Sequence, residues 1–275
     1  DDMVAPVNCA LCQVLYGLHQ AGLRFGDTLV IQGAGGLGLN ATAVAKDMGA
    51  EQIIVMDQIA GRLELAREFG ANHTLSLKDL PAPEQRIAAV MDLTGGWGAD
   101  VVADLVGYPQ VIPEGLQMLR SGGTYLEVGN IAPGNFFTYD ATKIMRRNAR
   151  IVGTANYSPW ALPKALDFLR RNLRRFPVSK IISHTFPLER IGDAFRQAEW
   201  LQRQGDPTRI SRDVIGFVVL TMGIQDPHPS RPDNLANLLS RLVPLGKPIA
   251  LLSEAGNRED RFRNLRTPGV RLFSL

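Results

Sequence analysis

The chain has 275 residues, 45% of them hydrophobic and 21% charged, with a formal net charge of +3. That length suffices for one large domain or two smaller ones with a substantial core. So mild a charge, without aromatics interleaved among the basic residues, argues against a nucleic-acid surface. No apolar run has membrane-spanning length, and two cysteines make no extracellular disulfide framework, so a cytoplasmic location is expected.

Asp1 to Pro6 reads as a start inside a domain, with no signal-peptide pattern. Asn8 to Leu23 carries Ala10, Val14, Leu15, Leu18 and Leu23 near helical spacing, and Gly26-Asp27 turns into a first strand. That strand, Thr28 to Gln32, runs into Gly33-Ala34-Gly35-Gly36-Leu37-Gly38, and an Ala-rich helix follows to Met48 with Gly49 as its cap. Gln52 to Met56 is a second strand, closed by Asp57. Gly61 to Phe69 is an amphipathic helix with Leu63, Leu65 and Ala66 inward and Arg62, Glu64, Arg67 and Glu68 outward.

His73 to Leu75 is a short third strand, Glu84 to Leu93 a helix, and Ala99 to Leu105 a fourth strand after the Thr94–Gly98 turn. Val111 to Leu119 is helical, closed by Ser121-Gly122-Gly123, then Thr124 to Val128 and Arg150 to Gly153 are strands five and six. Strands and helices alternating at this rhythm predict an α/β doubly wound parallel sheet, the Rossmann arrangement. Pro159 to Leu173 puts Leu162, Ala165, Leu166, Leu169 and Leu173 on one stripe. The Arg170, Arg171, Arg174, Arg175 cluster at its end reads as a solvated face at a helix C-terminus rather than an anion site. Ile181 to Phe186 is a strand and Leu188 to Leu201 a helix.

The pattern loosens near Gly205-Asp206-Pro207, which divides the chain into a dinucleotide-binding domain over 1–212 and a βαβ-like extension over 213–275. The extension reads strand, helix, strand, strand over Val214 to Leu220, Leu235 to Val243, Pro248 to Ser253 and Gly269 to Ser274.

The glycine stretch carries the chemistry. Gly33 allows the tight turn, Gly35 lets backbone approach a pyrophosphate, and Gly38 lets the helix sit close on the strand. Amides at the helix start then meet phosphate charge without a cationic side chain. Asp57 follows at about 20 residues from the last glycine, where a carboxylate can accept both ribose hydroxyls and repel a 2′-phosphate, so NAD is favoured over NADP. A bare G-x-G-x-x-G is weak; strand, turn, helix, second strand and acid in this order are not.

From Pro6 to about Arg212 the chain resembles the cofactor domain of the medium-chain, zinc-type alcohol dehydrogenases. The resemblance is carried by Cys9-Ala10-Leu11, Gly17, Gly26-Asp27, the Gly33–Gly38 stretch, Asp57 with Arg62-Leu63 and Ala66, and Phe69-Gly70-Ala71. Thr94-Gly95-Gly96, Gly98-Ala99-Asp100-Val101-Val102, Gly122-Gly123, Val128-Gly129 and Ile151-Val152-Gly153 complete it. It implies NAD(H) binding and hydride transfer between nicotinamide and an alcohol or carbonyl carbon. By position it implies Gly33, Gly35, Gly36, Leu37 and Gly38 at the pyrophosphate, Asp57 and Arg62 at the adenosine ribose, and Val106 and Val128 near the nicotinamide. It implies zinc in the complete enzyme, with Cys9 as the one ligand from this side. The other ligands would belong to a catalytic domain missing from this sequence, since catalytic zinc takes three protein ligands. A homodimer paired through sheet edges is also implied.

Read without the resemblance, Cys9 is a core thiol, a zinc ligand or half of a redox Cys9-Ala10-Leu11-Cys12 pair. His73 and His184 read as core or edge residues of strands, and Asp92, Asp100 and Asp104 as residues that cap or end elements; no catalytic residue is identified. The extension faintly resembles the flavodoxin-like domain of NDP-forming acyl-CoA synthetases, through Phe217 to Leu220, Gly246 to Leu252 and Pro268 to Phe273. Two functions compete: the NAD(H)-binding portion of a dehydrogenase acting on a small alcohol or carbonyl, inactive alone, or a non-catalytic NAD(H)-binding module fused to a ligase-like domain. A zinc-independent, NADPH-using reductase is a third, against which Asp57 speaks.

Overall fold

Six parallel strands in the order β3-β2-β1-β4-β5-β6 form the central sheet of the computed structural model. The structure describes Val4, residues 6–130, 133–187 and 190–193, and a strand at Phe217–Thr221. The strands are β1 (Thr28–Gln32), β2 (Gln52–Asp57), β3 (His73–Ser76), β4 (Ala99–Asp104), β5 (Leu119–Glu127) and β6 (Arg150–Gly153). Their continuous apolar runs are explained by cover on both faces. Leu29, Ile31, Ile53, Val55, Val101 and Ala103 are buried toward one face; Val30, Ile54, Val102 and Tyr125 are buried toward the other.

The connecting helices are α1 (Cys12–Ala21), α2 (Gly36–Met48), α3 (Ala60–Glu68), α4 (Pro83–Leu93), α5 (Val111–Met118), α6 (Ala141–Arg146) and α7 (Ala161–Asn172). A π-helical turn at Val7–Leu11 leads directly into α1. Small residues line α2, where Ala41, Ala43, Val44 and Ala45 are buried, so this helix can lie close on the sheet. The doubly wound parallel fold expected from the sequence is present.

Three local expectations need correction. Arg62 does not face outward: it is buried and lies 3.8 Å from Asp57. β5 begins at Leu119, not Thr124, because Leu119 pairs with Ala99 before a register shift places Thr124 opposite Val101. The shift is closed by the Arg120–Asp100 ion pair at 2.5 Å. On α7, Ala161, Phe168 and Leu169 form the buried stripe and Leu173 is largely exposed. The arginines at its end behave as expected of a solvated face: Arg171 and Arg175 reach Asp47, and Arg170 and Arg171 reach Asp167.

β7 (Ile182–Pro187) pairs in parallel with β8 (Phe217–Thr221) in a separate two-stranded sheet. The Val214–Leu220 strand therefore has a described counterpart. Most of the helix expected over Leu188–Leu201, and the elements expected after Thr221, lie outside the described residues.

Candidate functional site: the crevice at the sheet's switch point

The strand order reverses between β1 and β4, so the loops leaving their carboxyl ends part and leave a crevice, the position where open α/β sheets bind ligands. Gly33 follows β1 with φ +97°, and its N–H donates to the Met56 carbonyl at 2.8 Å. Gly38 lies so near that a Cβ there would stand 1.9 Å from the Gly33 carbonyl oxygen. Only glycine permits this approach, and it brings the start of α2 directly over the end of β1. Gly35 precedes the helix, and a Cβ on it would meet nothing within 4 Å. Its face is open exactly where the backbone must admit a ligand's charge, and the first N–H groups of α2 have no intrahelical carbonyl to serve.

Asp57 is buried at the end of β2. One carboxylate oxygen accepts the Ala34 N–H at 2.8 Å and the other accepts the Ile59 N–H at 2.8 Å. A carboxylate has about four acceptor sites, so two remain for a ligand's hydroxyls. Arg62 stands behind it at 3.8 Å. The predicted adenosine-side pair is thus brought together with the glycine corner. An open cradle, free helix amides and a fixed carboxylate fit a dinucleotide.

Across the crevice, Val106 is half exposed and Val128 nearly buried. Val106 reaches the corner, since a Cβ on Gly33 would meet its Cγ2 at 2.9 Å. The turn that carries Val106 is held by Asp104, which the sequence places as a residue that ends its strand. Asp104 is fully buried, and its Oδ1 accepts the N–H groups of Val106 at 2.7 Å and Gly107 at 3.3 Å. Its role in ending β4 was expected. Its neighbour was not: Glu127 is its partner on β5, and Asn130 Nδ2 donates to Asp104 Oδ2 at 2.8 Å and to Glu127 Oε1 at 3.1 Å. Burial, and then the Glu127 charge, push the Asp104 carboxyl up to about 7, against the pull of the two backbone N–H groups. The signal available in the sequence was Glu127 itself, an acid ending the otherwise apolar run Tyr125-Leu126.

The predicted metal ligand lies in the π-helical turn that precedes α1. Cys9 is exposed and Cys12 buried. Burial pushes the Cys12 thiol up to about 12, with the Tyr157 hydroxyl as hydrogen-bond partner. Among the described residues no group of three His, Cys, Asp or Glu side chains could hold a metal ion. The donor set therefore does not by itself fit the three protein ligands of a catalytic zinc.

Residues 36–171 match the family model described as zinc-binding dehydrogenase. Over those residues the six-stranded domain is similar to that family. Erythritol/L-threitol dehydrogenase of Mycolicibacterium smegmatis is 32% identical over 183 residues, which are 66% of this chain and 47% of that protein. Sorbitol dehydrogenase of Gallus gallus is 31% identical over 65% of this chain and 49% of its own length. A crystal structure of an alcohol dehydrogenase from Thermotoga maritima superposes with a TM-score of 0.69 at 31% identity, covering 73% of this chain and 55% of that one. The chain spans about half the length of the curated relatives it matches. No helix among the described residues is long and apolar enough to cross a membrane.

Proposed function

We propose that the chain is the NAD(H)-binding portion of a zinc-type alcohol or polyol dehydrogenase. The observation that supports this most is the corner at Gly33–Gly38, where free amides of α2 and an open Gly35 face the switch-point crevice with Asp57 fixed beside them. In this reading the backbone of Gly33, Gly35, Gly36, Leu37 and Gly38 holds the pyrophosphate. Asp57 and Arg62 hold the adenosine ribose, whose hydroxyls Asp57 accepts, and Val106 and Val128 wall the nicotinamide. Bound NAD(H) supplies the hydride carrier. The residues of this chain orient it, exclude water from one face of its ring and select against a 2′-phosphate.

Cys9 is the single zinc ligand this reading assigns to the chain. The other ligands and the wall of the alcohol pocket come from a catalytic domain outside this sequence, so the chain alone turns over no substrate. A homodimer through β6 belongs to the same reading, because Arg150–Gly153 is an edge strand with Ile151 exposed on it. We place the protein in the cytoplasm, with no nucleic-acid or membrane partner.

A non-catalytic NAD(H)-binding module is the second reading, favoured by the lack of a three-ligand metal group among the described residues. The likeness of 213–275 to an acyl-CoA synthetase flavodoxin-like domain, which would suit such a fusion, rests on strand and helix rhythm alone.

Titrating the chain with NADH and with NADPH, followed by nicotinamide fluorescence, tests the cofactor assignment. NADH is expected to bind more tightly. Equal affinities, or no binding of either, overturn it.

A further inference from the structure

The loops beneath the nicotinamide side of the crevice are held by an unusual pair of acids. Asp104 and Glu127 end adjacent parallel strands and sit directly opposite one another in register. Asp104 is fully buried, and both of its oxygens are engaged: Oδ1 by the N–H groups of Val106 and Gly107, Oδ2 by Asn130 Nδ2. Glu127 Oε1 accepts the Asn130 N–H at 2.9 Å as well as its amide. Glu127 Oε2 is buried and has no donor among the described residues. Asn130 Nδ2 donates to both carboxyls, to Asp104 Oδ2 at 2.8 Å and to Glu127 Oε1 at 3.1 Å, and so holds the two acids side by side. Two carboxylates offer each other only acceptors, so a hydrogen bond between them forms only when one of them carries a proton.

The surroundings favour keeping the proton. Burial, and then Asp104, Glu127 of β5 and Glu114 of α5, hold the Tyr125 hydroxyl in its neutral form, and Glu127 acts on Asp104 itself. Arg86 of α4 is committed to Glu114 by two bonds of 2.7 Å. Gln32 of β1, opposite Asp104 on its other side, is neutral and takes the Tyr125 hydroxyl at 3.0 Å. A second negative charge at this depth would meet a low dielectric and no facing cation among these neighbours.

The pair also sits under a tight junction. A Cβ on Gly107 would stand 2.4 Å from the Gly129 carbonyl oxygen, and one on Gly129 would stand 2.9 Å from Asp104 Oδ1. The turn after β4 and the turn after β5 are therefore pressed together over the acids, and Asp104 bonds to both.

We propose that Asp104 and Glu127 hold one proton between them, and that this proton positions the Val106–Gly107 and Val128–Asn130 turns as the wall of the nicotinamide subsite. Both acids are positioning residues: they touch the turns, and the turns touch the cofactor. The second half of the proposal rests on the dinucleotide reading above. Loss of the proton places two like charges in contact, drives the strand ends apart and opens the wall.

Two measurements on the full chain test it. Titration of the carboxyl carbons by 13C NMR is expected to show one of the two acids protonated near neutral pH; both titrating below about pH 5, as ordinary carboxyls do, overturns the shared proton. Binding of NADH and of ADP-ribose, which lacks the nicotinamide, is then compared at about pH 6 and 8.5. NADH affinity is expected to fall about tenfold or more as the competent fraction shrinks, while ADP-ribose changes little. In Glu127→Gln, whose amide can donate to an ionised Asp104, the step in NADH affinity is expected to vanish. Persistence of the step in that variant, or equal steps for both ligands, overturns the positioning role. NADH binding that ignores pH overturns this proposal and leaves the dinucleotide reading standing, whereas failure of both ligands to bind at every pH overturns that reading and the positioning role with it.

Discussion

Asp57 accepts the backbone N–H of Ala34 at 2.8 Å, so the acid that ends β2 also braces the corner that follows β1. Its other oxygen holds the start of the next segment through the Ile59 N–H. Hydrogen bonds to a charged group contribute about 1.5–3 kcal/mol each. Asp57→Ala is therefore expected to lose about 3–6 kcal/mol of stability in urea unfolding and to reduce the preference for NADH over NADPH about tenfold. A relaxed preference at unchanged stability would mean that the brace is absent in solution. Asp57→Asn, which keeps one acceptor oxygen and loses only the other backbone N–H bond, should lose less stability than the alanine variant.

Gly38 is the second element of that corner. A methyl group there would overlap the Gly33 carbonyl, and backbone has no rotamer by which to move aside. Gly38→Ala must shift α2 away from β1, at a cost of about 1–3 kcal/mol for overpacking. The shift also turns the helix amides away from the phosphate position, so NADH affinity is expected to fall more than tenfold while the folded circular-dichroism spectrum is kept. Unchanged affinity in calorimetric titration would detach the corner from cofactor binding.

Much of this was legible in the sequence because each feature has a local cause. The glycine corner, the β-branched strands and the helix-ending glycines report backbone geometry one residue at a time, and the parallel sheet follows from their order. The errors share another cause: they depend on what a neighbour in space supplies. Helical periodicity put Arg62 outside, but it is buried beside Asp57, the acid at the end of the preceding strand. Thr124 looked like the start of β5 because Gly122-Gly123 reads as a turn, yet Leu119 already pairs with Ala99. Asp104 was legible as the end of β4, whereas its pairing with Glu127 exists only once the strands are in register.

Arg86 and Glu114 form a buried bidentate ion pair between α4 and α5, and Arg86 also donates to the Leu80 and Pro81 carbonyls at 2.8 Å each. Removing one partner leaves a buried charge with no compensation, a loss of about 3–5 kcal/mol. Arg86→Met is expected to show that loss in urea unfolding, and Arg86→Met with Glu114→Leu to recover much of it. NADH affinity should stay constant in the folded double variant, since neither residue belongs to the glycine corner, Asp57 or the Val106 and Val128 wall.

The two cysteines should differ sharply as nucleophiles. Cys12 is buried with its thiol raised to about 12, so at pH 8 only about one molecule in ten thousand carries the thiolate, the reactive form. Cys9 is exposed. Iodoacetamide labelling followed by peptide mass spectrometry is expected to modify Cys9 in the native chain and to reach Cys12 only after denaturation. Labelling of Cys12 at a comparable rate would show that the first helix opens far more readily than its buried packing allows.

Asp104 gives stability a pH dependence opposite to that of an ordinary carboxylate. Its native-state value is raised from 3.8 to about 7, so the folded chain keeps a proton that the unfolded chain has already released. The stability this group supplies is complete below pH 3.8, declines as the pH climbs toward 7, and stays lost above it, where both states are ionised. Most paired carboxylates do the reverse, so the overall curve mixes both. Asp104→Asn removes the one titration and adds only a constant offset from the altered Asn130 contact. The difference in urea midpoint, wild type minus variant, is therefore expected to fall between about pH 4 and 7 and to be flat above about 8. A difference that rises with pH, or does not change, would place the Asp104 carboxyl in the ordinary range and make it a plain acceptor for the Val106 and Gly107 turn.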